Sequence, residues 1–139
     1  MKSKIDVIDS QPVLRLRLVA APDDLPLSNP EYQTELRDFY KQLKSQGMEV
    51  SARYYVHDAL RGGGGLSGEF TLIITTLAPV ITGGAAIAGA WLHARYGRKL
   101  HIKFDDVEVE APTMKDLKEA LQLVEESKQR NKPKIMHEP

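Results

Sequence analysis

The stretch from Phe70 to Leu92 contains no charged side chain, and it constrains the fold of this chain more than any other feature. A membrane-spanning helix needs about 20 mainly apolar residues, so the stretch is long enough to cross a bilayer. Several threonines lower its hydrophobicity, however, and Pro79 would kink or split a helix near its middle. We therefore predict a buried helix or a kinked helix pair. The alternatives are a membrane-associated protein that inserts segment 70–92, and a strand over 70–76.

Small residues on one side of the predicted helix indicate close packing. Bulky side chains such as Ile74 fall largely on one side at helical spacing, whereas Ala85 lies on the other side. Small residues allow another backbone to approach closely, so this surface suits a partner helix or a second copy of the chain. We predict a partner interface near the end of the helix, formed by Gly89, Trp91, Arg95 and Arg98.

Alternating apolar and polar residues predict four strands in the rest of the chain. The strands lie near residues 13–19, 48–56, 99–104 and 107–111. In the first of them, Arg15 and Arg17 alternate with leucines. We interpret the two arginines as part of a solvated sheet face, and a phosphate-binding stripe is the alternative.

Apolar residues at helical spacing, together with capping residues, predict the helices. They lie near residues 30–46, 66–78, 80–96 and 114–128. Asn29 followed by proline is a typical helix start, and Thr113 and Asp116 have the spacing of a capping box. The predicted fold class is α+β, a small mixed four-stranded sheet packed against helices, with one central apolar helix or kinked helix pair rich in small residues. A single domain is expected over 1–130, followed by a flexible C-terminal tail at 131–139.

Consecutive glycines before the apolar stretch predict a hinge. A run of glycines cannot form a stable interior element, because glycine loses more conformational entropy on folding than any other residue. No Lys-Ser or Lys-Thr pair follows the run, so it is not a Walker loop. We predict that the hinge controls the position of the following helix, and the alternative is a nucleotide or small-molecule cradle that includes Arg61. The predicted hinge loop consists of Gly62, Gly63, Gly64 and Gly65.

Composition and motifs argue against several classes of function. The chain has 19 Lys plus Arg and 19 Asp plus Glu, so it lacks the positive excess of a general nucleic-acid binder. It has no cysteine, which excludes thiol catalysis and cysteine-bound metals. Adjacent side chains on a strand point to opposite faces, which argues against His57 and Asp58 as a catalytic pair, and the nearest serine, Ser67, lacks a nucleophile motif. We therefore expect no enzymatic activity, no cofactor, no metal site and no nucleic-acid partner.

Five segments in this order form a recognisable pattern between Leu14 and Val124. They are Leu14–Val19, the glycine loop with Gly65–Gly68, the helix end Ala90–Arg95, the strand Leu100–Phe104 and the closing helix Asp116–Val124. Together they resemble the effector-associated constant component family, small domains encoded beside effectors of bacterial conflict systems. The resemblance implies a non-enzymatic adaptor or regulator that accompanies a variable effector, and it carries over no catalytic residue.

The expected function is therefore an interaction or regulatory module that acts with a co-encoded effector protein and also forms homo-oligomers. The first ten residues lack the apolar run of a signal peptide, so the expected location is the cytoplasm. Under the membrane alternative, the protein would be associated with the inner membrane.

Overall fold

The computed structural model describes residues 12–58 and 63–130, which form a five-stranded antiparallel sheet with three helices packed on one face. In chain order the elements are β1 (Val13–Val19), α1 (Pro30–Ser45), β2 (Glu49–Asp58), β3 (Gly63–Ile73), a π-helical turn (Val80–Gly84) that leads directly into α2 (Ala85–His93), β4 (Lys99–Phe104), β5 (Val107–Ala111) and α3 (Met114–Arg130). The tail predicted at 131–139 lies outside the described residues, as do residues 1–11.

The core lies between the helices and one face of the sheet. Alternate residues along a strand point to the same face, and on the helix side they are leucine, isoleucine and phenylalanine. The buried strand residues include Leu14, Leu16, Leu18, Leu66, Phe70, Leu72, Leu100, Ile102 and Phe104. The helices cover them with residues that include Leu36, Leu43, Ala88, Leu117, Leu121 and Val124. None of the described helices covers the opposite face, which is lined by polar side chains.

The strand order is β2-β3-β1-β4-β5, and every adjacent pair is antiparallel. The predicted α+β class is confirmed, and each of the four predicted strands has a counterpart in the sheet. The prediction of a mixed four-stranded sheet is wrong, because β3 is a fifth strand and all adjacent pairs are antiparallel. β1 and β2 run parallel to each other, and β3 lies between them and pairs with both. The first six elements therefore form a split β-α-β arrangement of the ferredoxin-like type, to which β5 and α3 are added.

The helix predicted over 66–78 is wrong, because residues 66–73 belong to β3 and the chain leaves the sheet after Ile73. From Leu66 to Leu72 the buried residues recur at every second position, which is the period of a strand. β3 pairs with β2 along one edge and with β1 along the other, so its backbone groups have partners on both sides. The alternative prediction of a strand over 70–76 agrees with the structure as far as Ile73, where β3 ends.

The uncharged stretch is divided between two elements of different type. Its first residues complete β3, which ends at Ile73, and its last residues form the helix that ends at His93 rather than at residue 96. Pro79 lies immediately before the π-helical turn, where its missing N–H removes no internal hydrogen bond. No helix in residues 12–58 and 63–130 has both the length and the hydrophobicity to cross a bilayer.

The small side of α2 packs against other parts of the same chain. A Cβ added at Gly89 would collide with the Met114 side chain at the start of α3. A Cβ added at Gly84 would lie 3.3 Å from Cε of Met48. The surface predicted to receive a partner helix is therefore filled by neighbouring elements, and self-association through it would require them to move.

The predicted helix starts are confirmed. The Asn29 side chain accepts a hydrogen bond from the Glu31 N–H at 2.8 Å. The Thr113 hydroxyl accepts from the Asp116 N–H at 3.1 Å, which is the first bond of a capping box, and it donates to the Asp116 carboxylate at 2.7 Å.

Candidate functional site

The predicted interface residues Trp91 and Arg98 lie inside the protein. Arg98 follows α2 and is 3% exposed, and Trp91 is 6% exposed. The Arg98 guanidinium donates from Nε and Nη2 to the two oxygens of Asp24, at 3.1 and 2.9 Å. It also donates from Nη2 to Oε1 of Glu35 at 2.7 Å and from Nη1 to the Trp91 carbonyl at 3.0 Å. One buried cation thus joins the loop after β1, helix α1 and the end of α2.

Aromatic rings complete the surroundings of this cation. The guanidinium carbon of Arg98 lies 4.4 Å from the centroid of the Trp91 ring and 6.0 Å from that of Tyr32. A cation over an aromatic face is attracted by the ring quadrupole, more strongly when both groups are shielded from water. The arrangement satisfies the Arg98 charge within the fold, which is a structural role.

The charges of this cluster shift the pKa values of its members. Burial by itself would raise the pKa of Asp24, but hydrogen bonds from Arg98 and from the Ala21 N–H, with the charges of Arg98 and Arg95, hold that pKa below its usual 3.8. Burial also opposes the charge of Arg98, yet its bonds to Asp24 and Glu35 raise its pKa overall. Burial and the nearby Asp24 charge raise the pKa of Tyr32 to about 12.

The lowered pKa of Asp24 predicts a specific loss of stability in acid. Its folded pKa is below its unfolded pKa, so the stabilisation is complete above about pH 4 and is lost as the pH falls through the folded value. We expect Asp24→Asn to lower the free energy of unfolding by about 1–3 kcal/mol at neutral pH and to flatten its fall below pH 4. Urea unfolding across this range measures both effects. Asp38→Asn, at an exposed position of α1, is the control, and equal pH profiles for the wild type and Asp24→Asn would contradict the assignment.

The structure brings three of the four predicted interface residues together, and it buries Trp91 and Arg98. Arg95 is exposed, and its Nε lies 3.0 Å from an Asp24 oxygen. Gly89 lies on the buried side of α2 against Met114. Sequence analysis missed Asp24, because an acidic pair between prolines is typical of a turn and shows no link to residues about 70 positions later. Trp91 and Arg98 therefore belong to an internal anchor, while a partner interface that includes Arg95 stays a prediction.

Three of the four glycines predicted as a hinge belong to β3. Gly63, Gly64 and Gly65 pair with β2, and Gly62 and Arg61 lie outside the described residues. A Cβ at Gly64 would collide with the Tyr55 carbonyl, and its φ of +148° is rarely adopted by other residues. The glycines therefore permit close backbone approaches within a hairpin, and the segment that follows them directly is the rest of β3 rather than a helix.

The reason for glycine at position 65 is the Gln33 side chain. Oε1 of this buried α1 residue accepts a hydrogen bond from the Leu66 N–H at 2.9 Å, and Nε2 donates to the Leu66 carbonyl at 3.0 Å. Nε2 also donates to the Leu27 carbonyl at 2.8 Å. A Cβ at Gly65 would collide with Oε1 of Gln33. The amide acts like one residue of an additional strand beside β3 and holds α1 on the sheet.

The uncovered face of the sheet offers an open surface with many polar side chains. We call it the open sheet face, and its centre is a depression of about 270 Å³. Side chains of β1, β2, β3 and β4 line the depression, including Arg15, Arg17, Arg53, Glu69, His101 and Lys103. Cationic side chains outnumber acidic ones here, although the chain as a whole is neutral.

Three carboxylates on the open sheet face already have basic partners. Glu69 pairs with Arg53 at 3.5 Å, and Glu108 with Nε2 of His101 at 3.0 Å. At the far edge, Glu110 pairs with Lys99 at 3.5 Å. These pairs explain how a face of mixed charge is stable, and they leave the two arginines of β1 outside the network.

The chain was also compared with family models, with curated proteins and with solved structures, and none of the three comparisons found a match.

Proposed function

We propose that this protein is a non-enzymatic interaction or regulatory module that acts with a co-encoded effector in a bacterial defence or conflict system. The observation that supports the proposal best is the open sheet face, a broad polar surface opposite the helices. In this proposal the effector docks on that face. Cytoplasmic location and self-association remain predictions that accompany it.

The form of the open sheet face favours a protein partner over a small substrate. Ligand pockets are usually concave, mostly apolar and larger than about 300 Å³, and they bury most of the ligand. Here the depression is smaller and is lined by charged side chains that stand on a solvated sheet. Such a surface offers hydrogen bonds and charge complementarity over a wide area, which are the interactions that give specificity between proteins.

A bulky substitution at the centre of the face tests whether the effector docks there. Thr71 lies on β3 between Arg15 of β1 and Ser51 of β2, and it is half-buried. We expect Thr71→Trp to weaken binding of the co-encoded effector at least about tenfold, because the ring obstructs the contact without changing any charge. Isothermal titration calorimetry with the purified effector measures the affinity.

The matched control is Gln122→Trp, which places the same ring at an exposed position of α3 on the other side of the molecule. We expect it to leave the affinity unchanged. Unfolding curves for both variants establish that each one is folded under the binding conditions. If the effector bound Thr71→Trp, Gln122→Trp and the wild type equally well, docking on the open sheet face would be wrong.

A further inference from the structure

Two arginines at the centre of the open sheet face have no carboxylate partner among the described residues. Arg15 and Arg17 are two positions apart on β1, so their side chains leave the same face at a separation of about 6.7 Å along the strand. Lys103 of β4 lies opposite Arg15, and His101 lies opposite Arg17. These four side chains form a row that we call the basic row.

One cross-strand pair in the basic row works against the stability of the sheet, although Glu69 lies opposite Arg17 and Glu108 lies opposite Lys103. Like charges directly opposite each other on neighbouring strands are destabilising, and Arg15 and Lys103 are such a pair. Glu108 only partly offsets the charge of Lys103, since it lies 3.9 Å from Nζ and is closer to His101. A neutral residue at position 15 would remove this repulsion. Departures of this kind from the most stable choice are typical of functional sites.

The basic row is narrow, and this limits what can bind along it. It occupies β1 and β4, and neighbouring strands are about 4.8 Å apart. Glu69 of β3 borders it on one side, and Glu108 and Glu110 of β5 border it on the other. A nucleic-acid duplex laid across the face would bring phosphates against these carboxylates. Two aromatic side chains line the depression, but the Phe70 ring is only 1% exposed and His101 is paired with Glu108, so neither offers bases an open stacking platform. A single extended peptide has the matching width.

We infer that the basic row binds an extended acidic segment of the partner protein, in which carboxylates at alternate positions pair with Arg15 and Arg17. Alternate side chains of an extended peptide recur at the same spacing of about 6.7 Å, so two carboxylates can meet both guanidinium groups at once. Each guanidinium can donate two parallel hydrogen bonds to one carboxylate. The inference rests on the proposed function and adds the chemistry of the partner.

Synthetic peptides test this spacing directly. One short peptide alternates glutamate and serine, and a second peptide has the same composition with all glutamates in one block. We expect the wild-type protein to bind the alternating peptide about tenfold more tightly in calorimetry, because only that peptide places two carboxylates at the arginine spacing. Added salt should weaken this binding, because the charges are exposed.

Variants identify the residues that bind the peptide. The double variant Arg15→Gln/Arg17→Gln keeps polar side chains of similar length, and we expect it to lose the preference for the alternating peptide. The control is Lys41→Gln/Lys118→Gln, which removes the same charge from exposed positions of α1 and α3 and should keep the preference.

Other results would overturn the inference. Equal binding of both peptides would indicate unspecific charge attraction, and failure to bind the alternating peptide would exclude the segment. Competition by millimolar inorganic phosphate as strong as by the peptide would indicate a simple anion site. Tighter binding of a single-stranded oligonucleotide would indicate nucleic acid instead.

The peptide experiment and the effector experiment can fail separately. If Thr71→Trp blocked the effector but the alternating peptide did not bind, the docking face would stand and the acidic segment would be wrong. If the peptide bound through the basic row but Thr71→Trp left effector binding intact, the proposed docking of the effector on this face would be wrong.

Discussion

Replacing Arg98 with methionine is expected to lower the free energy of unfolding by about 3–5 kcal/mol, the usual cost of removing one member of a buried ion pair. Methionine keeps much of the side-chain volume, but the carboxylate of Asp24 would stay buried without its main cationic partner. Glu35 and the Trp91 carbonyl would also lose their hydrogen bonds to the guanidinium. Chemical unfolding followed by Trp91 fluorescence measures the loss, since this is the single tryptophan of the chain.

The matched control for this prediction is Arg95→Met. Arg95 contacts the same aspartate, but its side chain is 41% exposed, and exposed ion pairs contribute only about 0–1 kcal/mol. A small effect of Arg95→Met beside a large effect of Arg98→Met would assign the stabilisation to the buried pair. Arg98→Met with wild-type stability would show that the buried cluster is not an anchor of the fold.

Replacing Gly65 with alanine is expected to cost about 2–4 kcal/mol, because two backbone groups of Leu66 would lose their hydrogen bonds in a buried environment. The added methyl group would displace the Gln33 amide, which holds the N–H and the carbonyl of Leu66. Water cannot easily replace the amide there, since Leu66 is 3% exposed and Gln33 is 6% exposed. Thermal and urea unfolding measure the cost.

A double-mutant cycle separates this mechanism from a general intolerance of side chains in β3. In the Gln33→Ala background, the amide that the methyl group would strike is absent. We therefore expect Gly65→Ala to cost less than about 1 kcal/mol in that background, and the two substitutions to be strongly non-additive. Additive costs would refute the coupling between Gly65 and Gln33.

Much of the fold could be predicted because local patterns agree with the tertiary structure. Leucines alternating with arginines in β1 and the capping residues of α1 and α3 depend only on near neighbours. β3 is different, because its glycines are unfavourable in an isolated strand. They become suitable only when the Tyr55 carbonyl and the Gln33 amide approach them, and these contacts exist only in the folded protein.

The structural role of the predicted interface residues could not be predicted, because the acids that pair with them are distant in the sequence. In the sequence, a helix end that carries one tryptophan and two arginines suggests an exposed surface for a partner; these residues are Trp91, Arg95 and Arg98. In the structure, Asp24 and Glu35 accept hydrogen bonds from the buried Arg98, and both acids are more than 60 positions away from it. The arginines of β1 were placed correctly on a solvated sheet face, but the pairing of the neighbouring acids with other cations is visible only in the strand register.

The position of β1 between β3 and β4 has a consequence for the synthesis of this protein. The central strand is made early, yet the strands on both sides of it follow much later, and β4 ends only at Phe104. At about 5–20 residues per second, a ribosome needs about 4–17 s to proceed from the end of β1 to the end of β4. During this interval the leucines of β1 cannot be covered as they are in the finished sheet. The domain must therefore complete its folding late in translation, and a chain that stops before β4 would have a central strand with one neighbour at most.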